Sequence, residues 1–191
     1  RSKGIRAEHT ARFRVHHGEK QKEYVWWKYE ILKNLVSKEP REITWINQKR
    51  NLKEISWYFH TKSLKNFGII HEIFYRNGVK KFPTDIISIF TDKMLAVWYM
   101  DDGSNNHGNI TLSTHSFSLE EQKIIVDFLK NKYRINPTIV KDRAQWKISI
   151  GSFDYDKIIS IVAPFIPKAM SYKIDNPRID LPITSFGIRI F

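Results

Sequence analysis

The feature that most constrains the fold is a recurrence of predicted elements along the 191 residues of the chain. Hydrophobic periodicity indicates helices and paired strands in the same order in both parts of the sequence, at a spacing of roughly 90 to 100 residues. Identity between the two stretches is weak, so the repeat is one of element order. An internal duplication of this kind predicts a first half over 1–82 and a second half over 83–191, related by a pseudo-two-fold axis.

The second half shows the plan most clearly. An apolar run ends at Asp101, Asp102 and Gly103, which is typical of a helix stopped by a glycine. Ser118 and Glu121 have the spacing of a capping box at the start of another helix. The predicted elements are a helix ending at 102, a strand over 110–115 with room for a further strand beside it, a helix over about 119–132, a hairpin of 138–143 with 145–150, and a helix over 153–166.

The first half repeats this order without the opening helix. Its patterns predict a strand over 11–16, a helix over 22–36, a strand pair of 42–48 with 54–60, and a helix over 64–75. Both halves are therefore predicted to combine helices with antiparallel strands, which is an α+β fold.

Composition favours a polyanionic partner. Thirty-two Lys and Arg against twenty Asp and Glu give a formal net charge of +12, while 41% hydrophobic residues suffice for a globular core. Nucleic acid is the first candidate, and a generally basic soluble protein is the alternative. The chain has no cysteine, so a metal would bind to oxygen or imidazole ligands. Neither a membrane-length apolar segment nor a signal peptide is evident, which predicts an intracellular protein of an organelle or a prokaryotic cytoplasm.

Alternation along two predicted strands separates apolar from polar side chains. Phe13 and Val15 fall on one face of the first strand, and Arg12, Arg14 and His16 fall on the other. The strand over 145–150 alternates in the same way, with Gln145, Lys147 and Ser149 opposite Trp146, Ile148 and Ile150. A ribbon with a donor-rich outer face fits the major groove of DNA, and an ordinary half-solvated sheet is the alternative. The predicted DNA-binding residues are Arg12, Arg14, His16, Lys49, Arg50, Lys141, Arg143, Gln145 and Lys147.

The sharpest local signal is the segment Leu95-Ala-Val-Trp-Tyr-Met-Asp-Asp-Gly103. It places two carboxylates at the C-terminal end of an apolar helix, where the helix dipole favours a cation. Oxygen ligands suit Mg²⁺, although acids at such a position more often form a solvated cap.

This segment resembles the LAGLIDADG motif of homing endonucleases, in which a helix ends in an acidic residue before glycine. Leu95, Ala96, Asp102 and Gly103 agree with the motif, and the family's metal-binding acid falls on Asp102. The departures are Val97 in place of the glycine that lets paired helices approach closely, Trp98, Met100, and Asp101 in place of alanine. The resemblance extends over nearly the whole chain, through 17–24, 96–104, 110–120 and 171–173.

The resemblance implies a fold and a reaction. Two pseudo-symmetric α/β half-domains would place antiparallel sheets as a DNA-binding saddle, with the motif helices at the central interface. The implied function is a sequence-specific, Mg²⁺-dependent homing endonuclease that cuts both strands of DNA, with Asp102 as a metal ligand. Water activation would then fall to the metal, because a carboxylate bound to Mg²⁺ is committed to neutralising its charge.

Further catalytic roles follow from the same resemblance. Lys173 corresponds to a family lysine that lies near the scissile phosphate after the last helix of a half. Lys80 or Lys81 corresponds to it in the first half, and we take Lys81 as the candidate. His17 and His115 fall where the family commonly has a glutamine near the active site, and could touch phosphate or hold water there.

One departure concerns the first half. Family members with two halves carry two motif helices, each with one acid, and no such helix precedes the first predicted strand. We expect an upstream segment or a partner chain to supply it, or else cleavage to be lost and binding retained. Without it, an apolar patch at Met94, Leu95 and Trp98 is expected to be exposed, or covered by another helix that packs on Ala96.

Two other functions share this basic fold. LAGLIDADG-like proteins also serve as intron-splicing maturases, which bind structured intron RNA by means of a positive surface and need no metal for it. The third hypothesis is a DNA-binding protein that does not cleave DNA. The expected partners are therefore double-stranded DNA and, for a maturase, intron RNA.

Overall fold

The computed structural model describes residues 10–175, which divide into two compact units. The first unit contains residues 10–83 together with 167–170, and the second contains residues 84–166 together with 171–175. Helices and antiparallel strands are mixed in both, which confirms the α+β class. None of the helices within the described range has the length and hydropathy to cross a membrane.

The first unit is built on a three-stranded antiparallel sheet. Its elements are β1 (Arg14–Gly18), α1 (Lys22–Leu32), β2 (Arg41–Asn47), β3 (Leu52–His60), α2 (Lys65–Phe74), and the two-residue strands β4 (Tyr75–Arg76) and β5 (Val79–Lys80). The order in the sheet is β1-β3-β2, so the longest strand is central. Its core is formed by Val15, Val25, Val36 and Phe59, with Tyr29, Leu32 and Trp57 packed against them.

Two expectations for this unit are wrong in detail. The helix predicted over 22–36 ends at Leu32 and is followed by a 3₁₀ turn, because Val36 forms an isolated β-bridge with Thr61. Phe13, expected on the inner face, is 46% exposed. It precedes β1, and its backbone N–H donates to the Thr61 hydroxyl at 2.8 Å, so the alternation of the strand does not extend to it.

The second unit carries a four-stranded antiparallel sheet of order β6-β7-β9-β8. Its elements are α3 (Asp92–Asp102), β6 (Gly103–Asn106), β7 (Asn109–Leu112), α4 (Leu119–Tyr133), β8 (Pro137–Asp142), β9 (Gln145–Ile150) and α5 (Tyr155–Val162). The further strand expected beside residue 110 is β6, which turns into β7 at His107 and Gly108 with φ of 52° and 84°. Positive φ at both positions is typical of a two-residue hairpin turn.

Local chemistry explains where elements of the second unit stop. The strand predicted over 110–115 ends at Leu112, because the Ser113 N–H donates to the Asp102 carbonyl at 2.8 Å and the chain then turns. The helix predicted over 153–166 is α5 with a 3₁₀ turn at each end, and Pro164 in the second turn has no N–H to continue it. The capping box of Ser118 and Glu121 is confirmed at the start of α4.

α3 buries one face, and its ends carry exposed charged side chains. Leu95, Ala96, Tyr99 and Met100 are buried, and the helix packs on α5. The expectation that Leu95 lies in an exposed patch is therefore wrong, since it is only 2% exposed and shares the inward face. Met94 and Trp98, the other members of that patch, are half-buried.

Gln122 on α4 ties the loop after β7 to the sheet. It is 1% exposed, and its side-chain oxygen accepts from the Thr114 hydroxyl at 3.0 Å. Its amide donates to the carbonyl groups of Thr114, Phe117 and Trp146 at 3.0 to 3.3 Å. A buried amide with these four bonds fixes the turn that carries His115.

We expect Gln122→Met to lower the free energy of unfolding by about 1–3 kcal/mol, because buried carbonyl groups lose their donor while side-chain volume is kept. Urea denaturation monitored by circular dichroism measures this. Lys123→Ala, at an exposed position of the same helix, should change stability by less than about 0.5 kcal/mol. Equal effects of the two substitutions would contradict the role assigned to Gln122.

Candidate functional site

Lys173 lies against the end of α3. Asp101 and Asp102 close the helix with exposed side chains, and Gly103 opens β6 in a buried position. The Lys173 ammonium donates a hydrogen bond to the Gly103 carbonyl oxygen. Burial lowers the pKa of Lys173, and the carboxylates of Asp101 and Asp102 oppose that effect. The fold thus brings a half-buried cation beside both acids.

Three side chains hold the backbone of residues 173–175 in place. The Tyr99 hydroxyl donates to the Lys173 carbonyl oxygen at 2.5 Å. The Tyr155 hydroxyl donates to the Ile174 carbonyl oxygen at 2.8 Å, and the Asn105 amide donates to the Asp175 carbonyl oxygen at 2.8 Å. Asn105 also donates to the Tyr155 hydroxyl at 3.1 Å. Because these side chains come from α3, α5 and β6, the lysine is anchored to three elements of one unit.

The acids at the end of α3 fit a cation that is shared with a substrate. Asp102 offers hard carboxylate oxygens at the negative end of a helix, which suits Mg²⁺. Within residues 10–175, no three His, Asp or Glu side chains are grouped so as to hold a metal ion. Magnesium in phosphate-handling sites is usually bound by one or two carboxylates together with phosphate oxygens. Asp102 would therefore hold such an ion only together with oxygen ligands from a bound substrate.

A second polar cluster lies on the outer face of the second sheet. One oxygen of the Asp142 carboxylate is 3.1 Å from His115 Nε2 and accepts from Lys147 Nζ at 2.9 Å. The hydrogen bond from Lys147 contributes most to lowering the pKa of Asp142, and the hydrogen bond with His115 contributes next. Asp142 was missed by the sequence analysis, although its register opposite Gln145 places it on the face of Lys147. Both predicted contact residues are thus held by an acid.

His17 faces α1 and not the outer side of the first sheet. It alternates with His16 and lies on the side of the buried Val15. Its Nδ1 is 2.9 Å from Gln21 Oε1, and its Nε2 is 3.2 Å from the ammonium of the buried Lys28. The structure therefore places His17 in a packed polar cluster between strand and helix.

The remaining predicted residues occupy several positions. Arg14, His16, Gln145 and Lys147 lie on the outer faces of the two sheets, whereas Lys141 pairs with Trp146 and shares the side of Ile148. The exposed residues at turns or ahead of a strand are Arg12, Lys49, Arg50 and Arg143. Lys80 is the last residue of β5. Lys81 is half-buried, and its backbone N–H donates to the Phe74 carbonyl oxygen at 2.8 Å.

The outer face of the second sheet is less basic than expected. Besides Lys147, its strand positions carry mainly hydroxyl and amide side chains, namely Ser104, Asn106, Asn109, Thr111, Thr138, Gln145 and Ser149. The one acid there, Asp142, compensates the one lysine. Cationic character on the outer sheet faces is therefore concentrated in the first unit.

Comparison with known proteins identifies the family. Residues 3–158 match the model of the LAGLIDADG DNA endonuclease family. The chain belongs to this family. It is 30% identical over 159 residues to cytochrome b mRNA maturase bI2 of Debaryomyces hansenii, which covers 81% of this chain and 60% of the maturase. It is 27% identical over 184 residues to DNA endonuclease I-ChuI of Chlamydomonas applanata, which covers 87% of this chain and 84% of the endonuclease.

A solved structure supports the same assignment. The homing endonuclease I-WcaI bound to its DNA recognition sequence matches with a TM-score of 0.79 and 27% identity, over 91% of this chain and 78% of that one. The predicted LAGLIDADG resemblance and its fold are therefore confirmed. Relatives named as endonucleases and relatives named as maturases both occur, and the chain spans about 60% of the first maturase.

Residues of the LAGLIDADG segment differ in their exposure. Leu95, Ala96 and Gly103, which match the motif, are buried, whereas Asp102 is exposed. A Cβ at Gly103 would lie 2.5 Å from the Tyr99 carbonyl oxygen and closer still to its ring. The last glycine of the motif is thus required because a side chain at position 103 would collide with Tyr99, one turn earlier on α3.

We expect Gly103→Ala to lower the melting temperature by several degrees, because the Cβ would overlap the ring and the carbonyl oxygen of Tyr99, and a shift of residue 103 would disturb its bond to Lys173. Differential scanning calorimetry measures the shift. The matched control is Gly151→Ala, since a Cβ at Gly151 would meet nothing within 4 Å. A Gly103→Ala protein as stable as the Gly151→Ala protein would show that the close approach is unimportant.

Proposed function

We propose that this chain acts as a sequence-specific, divalent-metal-dependent DNA endonuclease. The observation that carries the proposal is the position of Lys173 beside Asp102 at the end of the motif helix. A carboxylate at the end of α3 and an ammonium that packs against that end supply the two charges that phosphodiester hydrolysis needs, one for a cation and one for the phosphate. Similarity to I-ChuI along most of both chains supports DNA as the substrate.

Each side chain of the candidate site has a distinct role in this proposal. Asp102 binds Mg²⁺ through its exposed carboxylate and is not the general base. When bound, Mg²⁺ supplies an activated water and stabilises the leaving 3′ oxygen. Lys173 uses one N–H on the Gly103 carbonyl, which leaves two donors for the scissile phosphate. The backbone contacts of Tyr99, Asn105 and Tyr155 position that ammonium.

Cleavage of both strands requires a second site. We propose that a second motif helix, from a longer form of the chain or from a partner chain, supplies the acid that corresponds to Asp102. Lys81 is the proposed counterpart of Lys173 in the first unit. His115, held by Asp142, is proposed to order water or phosphate near the site in the second unit. His17 does not fit this role, because its two ring nitrogens lie beside Gln21 and Lys28 on the inner side of the first sheet.

Intron-RNA binding is the second candidate, because the maturase of Debaryomyces hansenii is 30% identical over 81% of this chain. The two functions are distinguished by incubating the protein with an intronless duplex of its own locus and, separately, with the intron RNA. Cutting of the duplex only with Mg²⁺ supports the endonuclease. Tight binding of the RNA without cutting of DNA supports the maturase, and specific DNA binding without cutting supports a cleavage-inactive protein.

We expect Asp102→Asn to abolish Mg²⁺-dependent cleavage while DNA affinity changes less than threefold, an order-of-magnitude bound, since phosphate contacts provide most affinity. Cleavage is measured by single-turnover assays on labelled duplex, and affinity by fluorescence anisotropy. Asp101→Asn is the matched control, because it removes the same charge from the adjacent position and should retain most activity. Wild-type cutting by Asp102→Asn would remove Asp102 from the site.

A further inference from the structure

Five side chains meet on the outer face of the first sheet, near the start of β2. The strand register places His16 of β1 and Arg41 of β2 on either side of Tyr58 in β3. Arg14 stands directly opposite His60 in the next row. The guanidinium carbons of Arg14 and Arg41 lie 5.8 and 5.4 Å from the centre of the Tyr58 ring. We call these five residues the Tyr58 cluster.

Positive groups surround the two histidines of the Tyr58 cluster. The pKa of His60 is lowered, mainly by burial. The positive groups of Arg12, Arg14 and Arg41, together with His16, lower it further. Burial and Arg14 likewise lower the pKa of His16. Among the described residues, no carboxylate contributes to either shift. This differs from the second sheet, where Asp142 holds Lys147 and His115.

Hydrogen bonding fixes the protonation state of His16. Arg14 Nη2 lies 3.2 Å from His16 Nδ1, and a guanidinium can only donate, so this nitrogen accepts. The opposite ring nitrogen, Nε2, lies 2.8 Å from the Ser56 hydroxyl and carries the single proton. His16 is therefore neutral in this arrangement. A proton added at Nδ1 would break the bond to Arg14, because both groups would then be donors.

We propose that the Tyr58 cluster binds a phosphate group of the nucleic acid backbone and that His16 takes up one proton from solvent as the phosphate binds. The phosphate oxygens accept from Arg14, Arg41 and the newly protonated Nδ1 of His16, and the bond between His16 and Arg14 is given up. Guanidinium groups pair with phosphate through short, charge-assisted bonds. One phosphate can accept charge-assisted bonds from both arginines, which favours phosphate as the ligand.

The inference rests on the proposed function, because it takes DNA as the polyanion, and it adds a dependence on pH. The groups that face His16 are Arg14 on its own strand and Ser56, Tyr58 and His60 on β3, with Arg41 beyond Tyr58. The free protein has a lowered His16 pKa, and a bound phosphate raises it. Between the two values, affinity falls as pH rises, by at most about tenfold per pH unit for one proton.

The test is fluorescence anisotropy with duplex DNA at constant ionic strength from pH 5.5 to 8, in EDTA so that no metal-dependent cleavage intervenes. We expect wild-type affinity to fall as pH rises. His16→Gln should still bind but lose most of the pH dependence, because glutamine can accept from Arg14, donate to Ser56 and does not titrate. The matched control is His71→Gln on α2, where His71 is exposed and stacks on Tyr75 with ring centres 4.7 Å apart. It should keep the wild-type dependence.

Equal pH dependence in the wild type and His16→Gln would overturn the proposal. Absence of DNA binding at every pH would instead contradict the proposed function. A separate measurement then tests whether the Tyr58 cluster binds phosphate. Pyrophosphate should move the His16 ring signals in ¹H–¹³C spectra toward those of the protonated form, and Arg41→Gln should weaken that effect. Unchanged His16 signals in the wild type would contradict a phosphate site.

Discussion

The hydrogen bond from Lys173 to the Gly103 carbonyl is the contact on which the candidate site depends. It joins the segment that follows α5 to the end of α3, and so places a cation beside Asp101 and Asp102. The backbone around Lys173 is fixed by side-chain donors from three elements, which makes the position of the ammonium a property of the whole second unit. Gly103 makes this geometry sterically feasible because it lacks a Cβ.

Charge is organised differently on the two sheets. In the second unit, the acid Asp142 holds Lys147 and His115, and hydroxyl and amide groups occupy most other outward positions. In the first unit, Arg14 and Arg41 lie near the Tyr58 ring, and no carboxylate among the described residues contributes to the pKa shifts of His16 and His60 beside them. Arginines can bind backbone phosphates, and hydroxyl and amide groups can donate to and accept from base edges, so the proposed nucleic acid partner would meet a different chemistry on each sheet.

Local signals in the sequence predicted much of the fold. The capping box at Ser118 and the acid before glycine at Asp102 each marked a helix end correctly, because these are interactions between near neighbours. The alternating pattern gave the wrong face for Phe13, because this residue precedes the strand. The same pattern could not show that Lys141 and Lys147 lie on opposite faces, because that depends on the register of the hairpin. The helix face occupied by Leu95 was likewise set by packing on α5.

The candidate site could be predicted only in part. Asp102 is marked by the motif itself, whereas the place of Lys173 followed from the family resemblance and not from any local pattern. The contacts of Tyr99, Asn105 and Tyr155 with residues 173–175 join distant positions, and no periodicity or short motif marks such residues in advance. The acid beside His115 was hidden for the same reason, because Asp142 reaches it across the sheet.

The proposed activity requires a divalent cation at the end of α3 within reach of Lys173. Paramagnetic line broadening by Mn²⁺ in ¹H–¹⁵N spectra of the protein with duplex DNA measures whether a cation binds there. Broadening should be strongest at Asp102, Gly103, Ser113 and Lys173, and Asp102→Asn should remove it while Asp101→Asn largely preserves it. Broadening centred on another part of the chain, or unchanged by Asp102→Asn, would show that the cation does not bind at Asp102.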